Sequence, residues 1–409
     1  MEKCEVRAHS SFEALDALMP LWQANATLPD VDSEIFKLVV QSRKEIKSPY
    51  ILSVTRGGHP LAVLVGRIEE AEMPLKLGYR TLKSIPVRRL IFLEGGLIGE
   101  QSREVLEVLF VAVKRALRAQ NLDFVFVENL RSDSAILEPL RECFGRFSMR
   151  PIGVPREHWL FRLPETWDSF LKSLNKKRRY WFKRLPSVLD RDFGRDWSIR
   201  RYAASHEAHE FVEVAEKVAC LTYHRKLGAG FRKDLETLGR LDLEARRGGL
   251  RGYALFIQGE PRAFWCCSVY RDRLWLNSTG YHPEFRSYEL GTILLLHVFE
   301  NHCGGPVSEV DFGLGDADYK RRFATEHYLQ QSWYLFPGTF RGFGLNLTLT
   351  ALALVNQVGK QLLAKLGLMQ FVKTSWRRTL TGSGLSDRSK SGANVKTDAE
   401  SDEPSGQAH

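Results

Sequence analysis

Tyr281-His-Pro-Glu-Phe-Arg-Ser-Tyr-Glu-Leu-Gly-Thr-Ile-Leu-Leu-Leu296, followed by Val307-Ser-Glu-Val-Asp-Phe-Gly-Leu-Gly-Asp-Ala-Asp-Tyr-Lys-Arg-Arg-Phe323, is the stretch on which the reading of this chain turns. Its first part carries the chain from a strand, Leu274 to Gly280, into an apolar helix from about Glu289 to Asn301. Its second part is a strand near Val307 to Phe312 and a glycine-bearing turn crowded with ionisable side chains. Free amides and the dipole at a helix start favour phosphate oxygens, and Gly291 lets a ligand approach the backbone closely. Arg286 adds positive charge beside them. The same residues also read as an ordinary helix start, with Ser287 or a neighbour as cap and Gly291 as a packing glycine.

Working outward, Arg251 to Ile257 and Ala263 to Tyr270 are β-rich runs joined by the turn Gln258-Gly-Glu-Pro261, and they precede the Leu274 strand. The first half has the same order: Tyr50 to Arg56, the turn Gly57-Gly-His-Pro60, Leu61 to Ile68, a helix from Glu104 to Ala119 with Val105, Leu109 and Val113 on one face, and a strand, Phe124 to Val127. Hairpin, strand, helix and strand recurring in each half predict two related α/β domains. Between them, Thr166 caps a long helix reaching Asp192, which Pro186 is expected to kink or break. Leu345 to Met369 reads as an apolar helical segment, and the Ser-, Gly-, Asp- and Lys-rich chain from about Thr381 as disordered.

Six scattered cysteines, with no zinc spacing, read as reduced thiols of a cytoplasmic protein, and no metal site is expected. Cys266 and Cys267 alternate along a strand and cannot face one pocket. The first residues lack a signal-peptide pattern, and no run is long and apolar enough to span a bilayer, so secretion and membrane spanning are not expected. The net charge of +10 suits an anionic partner, whether nucleotide cofactor, RNA or acidic membrane surface. Much of the excess lies in Lys172 to Arg195, where Tyr180, Trp181 and Phe182 interleave with basic residues. Such a string can stack nucleobases, but a helix with a solvated basic face and an aromatic core face produces it too; the second reading is preferred, and a nucleic-acid partner is not expected.

Arg286-x-x-Glu289-x-Gly291-Thr292 resembles, imperfectly, the pyrophosphate loop of GNAT N-acyltransferases. Gly280-Tyr281, Arg286 to Thr292, Asp311 to Asp316 and Tyr319-Lys320 together look like the CelD-like branch of that superfamily, associated with cellulose and exopolysaccharide gene neighbourhoods and similar to the Fem peptidyltransferases in having tandem GNAT domains. The resemblance covers roughly Trp167 to Trp333. It departs at Glu289, where a carboxylate would repel a pyrophosphate unless it points away.

The resemblance implies an α/β (α+β) fold of tandem GNAT-like domains, each a mixed, mainly antiparallel sheet flanked by helices. The expected divisions are residues 1–157, without a donor site; 158–337, the acyltransferase domain; 338–380, an amphipathic helical extension; and 381–409, a disordered tail. It implies acetyl-CoA or another acyl-CoA as donor, held by Arg286, Ser287, Tyr288, Gly291 and Thr292, with Tyr319 as general acid and Asp316 as base or orienting group. Arg178, Tyr223, His224, Asp311 and Lys320 are the expected contacts to a small-molecule or saccharide acceptor. For Asp311, Asp316, Tyr319 and Lys320 the alternatives are turn bonding, helix capping, ring packing and a solvated lysine. A Fem-like transferase using charged tRNA, and a non-catalytic assembly protein of polysaccharide production, are the competing functions. Residues 345–369 are expected either to dock on the protein or to touch the inner membrane peripherally.

Overall fold

The computed structural model describes residues 2–13, 15–78, 80–222, 225 and 230–365. Its strands in chain order are β1 (Glu5–His9), β2 (Ile46–Arg56), β3 (His59–Leu77), β4 (Arg80–Gly99), β5 (Phe124–Arg131), β6 (Met149–Pro151), β7 (Arg156–Arg162), β8 (Trp197–Tyr202), β9 (Leu250–Ile257), β10 (Glu260–Tyr270), β11 (Arg273–Tyr281), β12 (Glu309–Leu314) and β13 (Glu326–Leu335). Its α-helices are α1 (Met19–Asn25), α2 (Ser33–Ser42), α3 (Arg103–Ala119), α4 (Leu137–Phe144), α5 (Trp167–Ser173), α6 (Lys176–Phe193), α7 (Ser205–Ala219), α8 (Leu235–Arg246), α9 (Leu290–His302), α10 (Asp318–Phe323) and α11 (Phe340–Lys365). The fold is α/β, with mostly antiparallel strands flanked by helices. The described chain forms two compact units, one ending at Val154 and resuming at Gln331, the other running from Pro155 to Gln330.

In the first unit β1, β2, β3 and β4 pair antiparallel in succession, and β5 returns parallel to β4 after α3. The β2–β3 hairpin turns through Gly57 and Gly58, whose φ values of 57° and 81° favour residues without a Cβ. Strand alternation sends Val54 and Leu64 to a core shared with Val105, Leu109 and Val113 of α3. Val63, Val65 and Ile91 go to the opposite face, against Trp22 of α1 and Phe36 of α2.

The second unit has the same wiring. β9, β10 and β11 pair antiparallel, α9 crosses over, and β12 returns parallel to β11. β8 flanks β9, and β7 pairs antiparallel with β12 and with Glu326 to Gln330 of β13. One face packs Phe161, Phe182, Leu189, Leu294, Phe299 and Phe323 around α6, α9 and α10. The other packs Tyr202, Phe211, Ala215 and Leu241 beneath α7 and α8. Cys267 belongs to the first core and Cys266 to the second, as strand alternation requires. Each large side chain buried here contributes about 1.5–3 kcal/mol of transfer free energy.

Two sequence expectations need correction or completion. The helix begun by Thr166 carries a capping box with Ser169, but it ends at Ser173, and a new helix starts at Lys176 with the Asn175 side chain accepting from the Arg178 amide. The break therefore falls at Asn175, and α6 continues through Pro186 because burial of Phe182, Leu185 and Leu189 outweighs the lost hydrogen bond. The apolar C-terminal segment is helical from Phe340 to Lys365 and packs with the first unit through Leu345 and Leu349. Residues 366–380 and the expected disordered tail, 381–409, lie outside the described residues. No described helix is long and apolar enough to cross a membrane, and no group of metal ligands occurs among the described residues.

Candidate active site

Strands β11 and β12 pair only at Arg273–Glu309, Leu274–Val310 and Trp275–Asp311. Beyond these, β11 follows β10 to Tyr281 and β12 follows β7 to Leu314, so the two strands part. A bulge marks the parting: Cys267 opposes Leu276 and Cys266 opposes Ser278, leaving Asn277 as the extra residue, its amide donating to Ser268 Oγ at 3.0 Å. From Leu276 onward, no strand among the described residues pairs with the β12 side of β11.

Above this opening, Pro283 to Tyr288 form two short 3₁₀ turns kinked at Phe285 (φ −95°, ψ 16°), and Glu289, at φ 51° and ψ 42°, turns the chain into α9. Glu289 O accepts from the Thr292 and Ile293 amides at 2.9 and 3.1 Å, while the Leu290 and Gly291 amides have no partner among the described residues. A Cβ on Gly291 would meet only Tyr281 Cδ1, at 4.0 Å. Gly291 is thus not a packing glycine; Gly280 is one, since a Cβ there would come within 2.7 Å of the Phe264 ring. Arg286 and Ser287 are exposed, and Tyr288 is half-buried and packed on Phe193. The Glu289 carboxylate stands 3.5 Å from Thr292 Oγ1 and 3.9 Å from Arg322 Nη1, and the Arg322 guanidinium lies 4.6 Å over the Trp181 ring. Its charge thus lies between the α9 start and Arg322 of α10.

Tyr319, on α10, stands edge-on to Trp265 and Phe312, with centroids 5.8 and 5.9 Å away. Its hydroxyl has no hydrogen-bond partner among the described residues, and burial raises its pKa, so it is a neutral O–H donor. Trp265 also donates its indole N–H to Gly291 O at 3.0 Å, tying the α9 start to the ring that packs Tyr319. Gly291, Thr292 and Tyr319 are therefore brought to one place. Trp265 was not singled out in the sequence, where it reads as one more apolar residue of a strand.

The turn after β12 is a closed polar unit. The buried Asp311 carboxylate accepts from the Gly313 amide at 2.7 Å and lies 2.8 Å from His158 Nε2 and 3.4 Å from Arg273 Nη1. His158 Nδ1 lies 3.0 Å from Gln330 Oε1, and the His158 ring stacks on Tyr328 at 4.8 Å. Lys320, only 7% exposed, donates to the carbonyls of Gly313 and Leu314 at 3.2 and 2.9 Å. Burial pushes its pKa down to about 8. Both side chains brace a turn whose Gly313 and Gly315 have φ values of 72° and 96°, and that turn places Tyr319. His158 escaped the sequence reading as well; the available signal was a histidine directly ahead of the apolar run Trp159 to Phe161.

Of the remaining expected residues, Asp316 is exposed and paired with Arg321. Arg178 donates to the Arg322 carbonyl at 3.2 Å, which brings α6 to α10. Tyr223 and His224 lie outside the described residues.

Residues 176–321 match the acetyltransferase (GNAT) domain family. No curated protein matches the chain. A conserved protein of unknown function from Bacteroides thetaiotaomicron superposes with a TM-score of 0.51 at 10% identity, covering 81% of this chain and 100% of that one, and shows the same fold. FemX aligns over 74% of this chain and 90% of its own, with a TM-score of 0.49 and 12% identity. A tandem GNAT protein from the clavulanic acid biosynthesis pathway aligns over 82% and 99%, with a TM-score of 0.47 and 13% identity.

Proposed function

We propose that the second unit is an acyltransferase that takes an acyl group from acyl-CoA and delivers it to an amine, or to a hydroxyl, of a saccharide-type acceptor. The observation that carries this is the coincidence, at one strand opening, of two amides without a partner among the described residues, a glycine with open space and a neutral tyrosine hydroxyl. Acyl-CoA brings a thioester that the acceptor attacks directly, the carbon–sulfur bond breaking as the new bond forms. The Leu290 and Gly291 amides, with Arg286, suit the donor's phosphates. Tyr319 gives its proton to the departing sulfur, and Asp316 is the proposed route for the acceptor's proton. Arg178 and the segment holding Tyr223 and His224 are assigned to the acceptor side. Asp311 and Lys320 act through the turn they brace. The first unit is assigned no donor. The CelD-like resemblance gives this reading its setting: polysaccharide production at the cytoplasmic face of a membrane.

A second reading, aminoacyl transfer from charged tRNA, is favoured by the exposed basic residues at the start of α6. Thermal-shift screening against acyl-CoAs of increasing chain length, with bulk charged tRNA in parallel, separates the two. Stabilisation by an acyl-CoA and none by tRNA is expected, and the reverse overturns the assignment.

A further inference from the structure

We infer that the first unit carries a docking surface for an anionic phospholipid bilayer, built from α11, the tip of the β3–β4 hairpin and the loop bearing Phe147; it rests on the membrane-proximal setting proposed above and names the surface responsible. Helix α11 has two faces. On one, Leu345 and Leu349 pack into the first unit, Asn346 Nδ2 donates to the Phe147 carbonyl at 2.8 Å, and Arg150 donates to the Leu349 carbonyl at 2.8 Å. Further along that face, Asn356 accepts from the Gly78 amide at 2.6 Å and donates to the Lys76 carbonyl at 3.1 Å.

The other face carries Phe343, Leu347, Leu354, Val358 and Leu362, each more than half exposed. They are spaced in steps that return to one side of a helix, and no described residue covers them. The same asparagines that fasten α11 bring two further apolar tips beside it: Phe147, 82% exposed, at one end, and the hairpin with Leu82, 59% exposed, at the other. Exposed apolar side chains from three separate segments thus converge along one helix.

Charge selects the occupant. From residue 327 to residue 386 the sequence holds no aspartate or glutamate, and neither does the hairpin from Met73 to Arg89. Lys76, Arg80, Lys83 and Arg146 are exposed beside Leu82 and Phe147, and Lys365 at the end of α11. An apolar stripe with exposed cations beside it, and with no acid in its own helix or in the hairpin tip, matches acyl chains beneath negative headgroups, whereas a protein partner would require no such absence of acids.

The test is flotation of the full-length chain with vesicles of phosphatidylcholine alone or with phosphatidylglycerol added. Binding to the anionic vesicles is expected to be at least about tenfold tighter than to the neutral ones and to weaken with salt. The double variant Leu82→Glu/Phe147→Glu, changed only at exposed positions, should lose about tenfold in binding while keeping its melting temperature and its response to acyl-CoA. Equal affinity for both vesicles, no binding, or binding untouched by the double variant overturns the inference. So does a concentration-dependent dimer that Leu347→Glu dissociates, since the stripe would then belong to a second copy. The acyl-CoA response is read in a different unit, so its failure leaves the vesicle result interpretable.

Discussion

The two units share one wiring and part their parallel strands at the same point, yet among the described residues only one opening is unbridged. In the first unit β4 and β5 pair from Arg89–Phe124 to Phe92–Val127 and then separate, with Leu93 to Gly96 bulging out of the β3–β4 ladder. In the second, β11 and β12 separate after Trp275–Asp311, with Asn277 bulging. The first opening is bridged: Asn129 donates to Glu94 at 2.9 Å, and Ser332 donates to Asn129 Oδ1 at 3.1 Å. No such bridge spans the second among the described residues. The turns that follow differ too. Arg131 and Asp133 form an exposed pair after β5, whereas Lys320 is buried after β12. The same strand wiring supplies the opening in both units, and a few side chains decide whether it is bridged.

The largest expected effect comes from removing the phenol of the open unit. Tyr319→Phe should lower kcat by about a thousandfold with little change in donor affinity, measured by steady-state transfer at varied donor concentration. Next, Gly291→Glu places a carboxylate in the open space at the α9 start and should weaken donor binding about a hundredfold, whereas Ser102→Glu at the start of α3 should leave it unchanged. Donor affinity that responds to both changes would break the comparison.

The turn can be probed by pH. With the Lys320 pKa lowered in the fold from 10.5 to about 8, the unfolded chain binds more protons between those values, so unfolding free energy rises with pH across that window. Relative to Lys320→Met, the wild type should gain about 2 kcal/mol between about pH 8 and about pH 10, read by urea titration. Asn129→Ala opens the bridge of the first unit and should cost about 1 kcal/mol of stability without altering transfer. The smallest effect is expected from Glu289→Gln, which removes a negative charge near the donor's phosphates and should tighten donor binding about fivefold.

Most of the wiring was legible because it rests on local rules. The Gly-Gly and Gln-Gly turns, the strand runs and the apolar face of α3 all appear where the sequence predicts them. The α6 boundary was not, since Pro186 is a strong local signal that the burial of Phe182 and Leu189 overrides. At the candidate site, Gly291 drew attention by its place at a helix start, and Tyr319 only through the family resemblance. Trp265 and His158 were not, because their partners, Gly291 and Asp311, are distant in sequence and only the sheet brings them together. The placement of the Glu289 carboxylate between Thr292 and Arg322 was equally beyond reach, as it depends on Arg322 and on the Trp181 ring beneath that guanidinium.

The account stands on the second unit alone offering a donor site, and calorimetric titration of the full chain with acetyl-CoA tests that most directly. One site per chain is predicted, lost in Gly291→Glu and retained in Asn129→Ala. Two sites per chain, no binding, or a single site that survives Gly291→Glu and disappears in Asn129→Ala would contradict it.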